Sequence, residues 1–284
     1  MTARHGILRQ TLLPNPVALT LHTVTTLDSP GLAPYRTLRR PMDHLQRGIF
    51  VAEGAKAVLR LLDSPLSILS MLATPEWFSR IRGDLEGRSV APVDVFLADS
   101  RLVNTIVGYR LHQGIMAIAR VPPEIPLEAL PGSHIVVALD GLNHAENVGV
   151  IVRTCAAFGV DTVIAGETSC SPFLRRAVRN SMGGVFKLNV VHSTNLGLSL
   201  RTLRRHHGTR VIAADANAPT SLAGHPFPDR VCIIAGNEDS GISPEVLAEC
   251  DDRIAIPMSN DTDSLNVASA LGVFLYELKR TSTP

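Results

Sequence analysis

The sequence predicts an α/β fold, with a mostly parallel sheet in its second half and a smaller α/β unit in its first. The apolar runs Ile135 to Leu139 and Val231 to Ala235 lack polar alternation, as strands covered on both faces require. Segments of helical spacing separate such runs, the alternation that builds parallel sheets. Three polar loops adjoin them: Asn147-Val148-Gly149-Val150-Ile151-Val152-Arg153; Gly236-Asn237-Glu238-Asp239-Ser240-Gly241; and Ile256-Pro257-Met258, running on to Ser264-Leu265-Asn266. Loops at the carboxyl ends of parallel strands are where such sheets place ligands, so one composite site is expected.

Residues 1–35 read as an N-terminal extension with one strand, Ala18 to Thr25. Residues 36–121 read as a small α/β domain. There Glu53-Gly54-Ala55 opens a helix with Val58, Leu59 and Leu62 at helical spacing. Ser67 to Leu72, Val93 to Ala98 and Gly114 to Ala119 read as strands, and Asp99-Ser100 can cap a helix through Ile106. Residues 122–132 hold Pro122, Pro123, Pro126 and Pro131 and read as a semi-rigid linker.

Residues 133–284 alternate cleanly. Strand Ile135 to Leu139 leads into a helix from about Asn147 to Phe158, with Gly159 suited to its C-terminal cap. Thr162 to Ala165, Val211 to Ala214, Val231 to Ala235 and Arg253 to Ile256 read as further strands. Ser243 can cap a helix that begins at Pro244, and Ser264 can cap the last one, which ends near Lys279-Arg280. Along that helix Ala268, Leu271, Leu275 and Leu278 line one face, and Val267, Ala270 and Phe274 another. A helix apolar on two sides is covered on two, by a large core or by a partner chain.

Hydrophobic residues make up 45% of the 284 and aromatics only 4%, so aliphatic side chains must fill the core. No apolar run approaches the about 20 residues that span a bilayer, and Met1 to Gln10 lacks the apolar stretch of a signal peptide. A cytoplasmic protein without membrane contact is expected. Cys155, Cys170, Cys232 and Cys250 lack CxxC spacing and read as reduced structural thiols, not metal ligands. Net charge is +1, but arginines cluster: Arg36, Arg39, Arg40 and Arg47; Arg175, Arg176 and Arg179; Arg201, Arg204, Arg205 and Arg210, with His206 and His207. Each cluster is either a solvated face or part of an electrostatic footprint for phosphates.

The loop after Leu139 carries no GxGxxG, and the chain has no GxxxxGK[ST] and no GxSxG, so dinucleotide, P-loop and hydrolase-elbow readings are excluded. The order Asn147-x-Gly149-x-x-x-Arg153, Gly236-x-Glu238-x-x-Gly241, then Ile256-Pro257-Met258 and Ser264-Leu265-Asn266-Val267, resembles the three motifs of the SpoU (TrmH-type) RNA ribose 2′-O-methyltransferases. Phe50-Val51-Ala52-Glu53-Gly54 and His112-Gln113-Gly114-Ile115-Met116-Ala117 resemble the opening and close of that family's small N-terminal RNA-binding domain. The resemblance covers all but the first 35 or so residues. Singly, Asn147 reads as a helix-start residue, Ser264 as a plain cap, Arg153 as a surface arginine and Glu238 as a loop carboxylate; the three motifs in order carry the functional reading.

The resemblance implies a C-terminal α/β methyltransferase domain with a deep trefoil knot, an exception to the rule against knots. It implies a homodimer, S-adenosylmethionine as cofactor, and RNA as substrate, ribosomal RNA before transfer RNA. Carried over, Ala235, Gly236, Ile256, Met258 and Leu265 contact the cofactor. Arg153 is the catalytic arginine; Asn147, Glu238 and Asn266 orient it and the ribose, and Ser264 touches the substrate phosphate. A guanidinium is a poor base, so Arg153 either takes the 2′-OH proton with help from the substrate phosphate or acts electrostatically on the developing alkoxide. The methyl donor is a sulfonium, so no metal is expected. Arg175, Arg176, Arg179 and Ser181 match a segment near the RNA site and imply phosphate contact, while His144 reads as structural. The chain departs from the family at Asn260, where Gly is common, at Asp261 and Asp263, which add negative charge, and at Asn180, where Ala is common. Two alternatives stand beside this reading: a non-catalytic RNA-binding or assembly factor of the same fold, and methylation of a base.

Overall fold

A computed structural model describes residues 18–26, 28–88, 92–107, 114–130, 135–259 and 264–282. The segment Asn260 to Asp263, His112-Gln113, Pro131-Gly132 and the extension before Ala18 lie outside these residues.

The first half folds as β1 (Leu19–Thr23), α1 (Ala33–Arg36), α2 (Pro41–Gln46), β2 (Ile49–Glu53), α3 (Ala55–Leu62), β3 (Ile68–Ala73), α4 (Pro75–Glu86), β4 (Val93–Leu97), α5 (Ser100–Val107) and β5 (Ile115–Arg120). Its sheet has the order β1-β4-β3-β5-β2; β1, β4 and β3 run parallel, and β5 is antiparallel to both β3 and β2. The strand expected at Ala18 to Thr25 is β1, and Asp99 caps α5 through Oδ1, which accepts from Leu102 N at 2.7 Å. One expectation fails: Leu59 is 40% exposed and Leu61 is buried in its place. Ala55, Val58, Leu61 and Leu62 fill the apolar stripe of this two-turn helix, and Leu59 falls at its edge. Helix α4 has a side-chain cap, Thr74 Oγ1 accepting from Trp77 N at 3.4 Å, with Pro75 in its first turn.

The second half folds as β6 (Ile135–Leu139), α6 (Ala145–Ala157), β7 (Thr162–Ala165), α7 (Arg175–Asn180), β8 (Asn189–His192), α8 (Leu196–His207), β9 (Arg210–Ala214), β10 (Thr220–Ser221), β11 (Val231–Ala235), α9 (Pro244–Leu247), β12 (Asp252–Ala255) and α10 (Val267–Ser282). Every pairing in its sheet, of order β10-β12-β9-β11-β6-β7-β8, is parallel. Strands β6 and β11 are buried along their whole length, as their unbroken apolar runs require. Strand β11 follows β6 and β9 in sequence yet lies between them. Gly159, at φ +68°, ends α6 in the left-handed conformation that glycine adopts without strain.

Two capping expectations are corrected. Ser243 makes no side-chain cap to α9; its own N–H instead donates to Asp140 Oδ2 at 2.7 Å. Ser264 lies three residues before α10, and Asn266 takes the cap, its Oδ1 accepting from Ala268 N at 3.0 Å and Ser269 N at 3.4 Å.

One apolar cluster runs through both halves. Phe50 of β2 meets Phe173 and Phe186, with ring centroids 5.2 and 5.4 Å apart. Beside them Glu53, with 2% of its side chain exposed, accepts from Arg175 Nη1 at 2.8 Å, and Arg179 Nη1 lies 3.5 Å away. The four cysteines are free thiols; burial pushes those of Cys155 and Cys232 well above the ordinary range, and Cys250 up to about 12. Among the described residues no helix is long and apolar enough to cross a membrane.

Candidate active site

The site begins at the carboxyl ends of β6, β11, β9 and β12, which lie in that order in the sheet. Asn237 organises the loop after β11. Its backbone N–H and carbonyl pair with those of Gly241 at 2.9 Å each, and its Oδ1 accepts from the N–H groups of Asp239 and Ser240 at 3.0 Å. Its Nδ2 donates to Gly141 O at 2.7 Å, which ties this loop to the one after β6. Gly236 is required sterically: a Cβ there would stand 2.5 Å from the carbonyl carbon of Gly241.

This loop carries Glu238 to Asn147 in the first turn of α6, whose Nδ2 donates to Glu238 Oε1. Asn266 divides its amide between two tasks. The oxygen caps α10, and Nδ2 donates to Asn147 Oδ1 at 3.3 Å. Three residues from three motifs thus form one chain, Asn266 to Asn147 to Glu238. The second carboxylate oxygen of Glu238 is buried and has no hydrogen-bond partner.

A cavity of about 800 Å³ opens beside this chain. All five residues expected at the cofactor, Ala235, Gly236, Ile256, Met258 and Leu265, line it, as do Glu238, Ser264 and Asn266. Ala270, Leu271 and Phe274 of α10 add an apolar wall, so the helix's second apolar face covers the cavity as well as the core. Asp215, Asn217 and Arg253 line it too, with Arg253 Nη2 and Asp215 Oδ2 paired at 2.5 Å. None of the three was read from the sequence, although Asp215 follows directly on β9, a strand end of the kind that binds ligands.

The remaining expected residues stand elsewhere. Arg153 does not line the cavity; it lies exposed on α6, about 120° around the helix from Asn147, and its guanidinium has no partner among the described residues. Arg175 and Arg179 face Glu53, and Arg176 pairs with Glu146 at 3.0 Å, with 70% of its side chain exposed. Ser181 is fully buried and its hydroxyl donates to Val178 O at 2.9 Å, so it offers nothing to an RNA. His144 immediately precedes α6 and caps it through no side-chain bond. In the third basic cluster, Arg201 pairs with Glu249, Arg204 with Asp251 at 3.3 Å and Arg210 with Asp252 at 2.5 Å, so its charge is largely offset.

Fold and site define an α/β protein with a cofactor-sized cavity at the carboxyl ends of a parallel sheet. The chain belongs to the SpoU rRNA Methylase family, whose model matches residues 134–276. An uncharacterized tRNA/rRNA methyltransferase of Mycobacterium tuberculosis is 32% identical to it over 277 residues, 94% of each chain. The 23S rRNA (guanosine-2′-O-)-methyltransferase RlmB of Acinetobacter baylyi is 29% identical over 208 residues, 71% of this chain and 84% of that one. Among solved structures, an AdoMet-bound rRNA methyltransferase from Sinorhizobium meliloti superposes with a TM-score of 0.80 at 26% identity, over 93% of this chain and 99% of that one. The protein is an RNA methyltransferase, and its cofactor is S-adenosylmethionine. The cavity suits that group: apolar walls for an adenosine, the orphaned Glu238 oxygen for a donor, and three carboxylates against one guanidinium for a cationic sulfonium.

Proposed function

We propose that the chain methylates a ribose 2′-OH of ribosomal RNA and works in the cytoplasm as a homodimer with a knotted C-terminal domain. The observation that carries the reading is the hydrogen-bonded chain Asn266–Asn147–Glu238 at the edge of the cavity, which joins all three motifs in one place. The relation to RlmB and to an rRNA methyltransferase structure supports the ribose and the ribosomal target.

S-adenosylmethionine supplies, when bound, a methyl group on a sulfonium. Ala235, Gly236, Ile256, Met258 and Leu265 bind it, and Glu238, Asn147 and Asn266 orient the ribose. Ser264, exposed at the cavity edge, contacts the substrate phosphate. Arg153 is the proposed catalytic residue. A guanidinium is a poor base, so holding the phosphate and stabilising the developing alkoxide is the role its chemistry favours.

The homodimer has support in an apolar strip. Val150 of α6 is 43% exposed, and Leu265, Val273 and Tyr276 beside or on α10 are 40%, 40% and 59% exposed. The two helices pack together, with Thr154 of α6 against Gly272 of α10. A second copy covering this strip also buries the region around the unpartnered Arg153.

The test is methyl transfer to RNA by purified protein, read by nuclease digestion and mass analysis. Wild type should yield one 2′-O-methyl nucleotide, and Arg153→Ala should lower the rate about 10²–10³-fold with cofactor affinity unchanged. A methylated base, or no transfer to any RNA, overturns the reading.

A further inference from the structure

We propose that Arg60, in the first half of the chain, is a positioning residue for Arg153 and acts through the turn Met182–Gly184. The proposal rests on Arg153 being the catalytic residue of the reaction above.

The turn is held in an unfavourable backbone conformation. Met182 has φ +51°, and among the described residues it is the one non-glycine with positive φ. Gly183 follows at φ +78°. A side chain of this size is rarely found there, and such conformations persist only where their surroundings impose them. Here the surroundings come from both halves. Arg60, on the outer face of α3, donates from Nη1 to Met182 O at 2.7 Å. Its Cβ would lie 3.1 Å from a Cβ built on Gly183.

On its far side the turn abuts the helix that carries Arg153. A Cβ on Gly184 would stand 3.3 Å from the Arg153 Cα, 3.4 Å from the Ala156 Cβ and 3.6 Å from Val152 O. The backbone of α6 and the turn are therefore in contact at the residue whose side chain must be aimed. The preceding helix α7 is seated as closely, since a Cβ on Gly149 would fall 2.6 Å from the Asn180 Cβ and 2.7 Å from Ala177 O. The order of contact is Arg60, Met182, Gly184, Arg153. A shift of the first half at Arg60 moves the turn, and close-packed backbone passes that shift on to α6.

This geometry explains why an exposed arginine of the first half bonds a backbone carbonyl of the second, 122 residues away, when it could have remained in solvent. A guanidinium held to a carbonyl fixes the turn in the one arrangement that leaves Arg153 correctly placed. A misplacement of about 1 Å at a reacting group is enough to reduce a rate about a hundredfold.

The experiment compares wild type with Arg60→Met, Arg60→Lys and the double variant Arg60→Met/Met182→Gly. Arg60→Met should lower kcat at least about tenfold while KM for RNA and Kd for S-adenosylmethionine stay within about twofold. Arg60→Lys should restore most of the loss, since an ammonium can donate to the same carbonyl. Met182→Gly should restore part of it in the Arg60→Met background, because glycine adopts positive φ without strain. Hydrogen exchange on the same proteins supplies a readout that needs no RNA: Arg60→Met should speed exchange across residues 182–187 and along α6 near Arg153. Unchanged exchange overturns the coupling whatever the activity. A raised KM with unchanged kcat overturns it too, and makes Arg60 an RNA contact. A wild type that transfers no methyl rejects the reaction proposed above, and exchange then still decides the coupling.

Discussion

Glu53 and Arg175, 122 positions apart in sequence, form an ion pair of 2.8 Å with 2% and 15% of their side chains exposed. The pair joins the last residue of β2 to the first of α7. Removing the carboxylate leaves a partly buried guanidinium without its counter-charge, which costs about 3 kcal/mol. Glu53→Ala should therefore lower the urea midpoint well below that of an exposed-pair control such as Glu76→Ala. An equal effect of the two substitutions would show that the pair contributes no more than a surface contact.

Gly236 stands where no side chain fits. An alanine Cβ would sit 2.5 Å from the Gly241 carbonyl carbon and 2.6 Å from Ile242 N, so the loop after β11 must move. Overpacking of this kind costs about 1–3 kcal/mol, and if the shift falls on the cavity wall, cofactor Kd rises about tenfold. Gly83→Ala, in α4 with nothing within 4 Å of the added atom, should leave that affinity unchanged. Calorimetry with S-adenosylmethionine separates the two.

Asn266 both caps α10 and reaches Asn147, and two substitutions divide the roles. Asn266→Asp keeps an oxygen for the cap and loses the donor to Asn147, so thermal stability should hold while methyl transfer falls. Asn266→Ala loses both and should also destabilise the fold by about 1 kcal/mol. Equal activity of wild type and Asn266→Asp would remove Asn266 from the orienting chain.

His44 is 3% exposed, and its Nε2 donates to Pro34 O at 2.9 Å. Burial holds its pKa below the ordinary 6.5, with the nearby Arg47 charge acting in the same direction and Asp43 and the Pro34 bond opposing. The folded protein thus binds a proton there less readily than the unfolded chain. This contribution to stability is present above pH 6.5 and declines as pH falls through that value. His44→Gln should flatten the fall in melting temperature between about pH 7 and 5. A slope identical to wild type would assign the acid sensitivity to other groups.

The central strands were readable to the residue. β6, β7 and β11 have the bounds expected, because a strand buried on both faces leaves an unbroken apolar run. Helices α7 and α8 were not read. Only Ala177 and Val178 are buried in the first, and the basic run of the second masks the spacing of Leu196, Leu200 and Leu203. The residues of the second and third motifs pointed to the cavity because they sit on loops that follow strand ends, whereas the first motif lies on α6. Pairings such as Arg210 with Asp252 and Arg175 with Glu53 join residues 42 and 122 positions apart, so linear charge clusters overstated the free positive surface. Periodicity placed Arg153 on a helix but could not say which side of that helix meets the cavity.

The rings of Phe50, Phe173 and Phe186 lie in one apolar cluster that continues through both sheets. The two halves are consequently poor modules. A first half grafted from another chain would have to supply a matching aromatic and a matching carboxylate before the second half, with Phe173, Phe186 and Arg175, could close against it. Chimaeras cut between Arg120 and Ile135 should aggregate unless both sides of that cluster come from one parent.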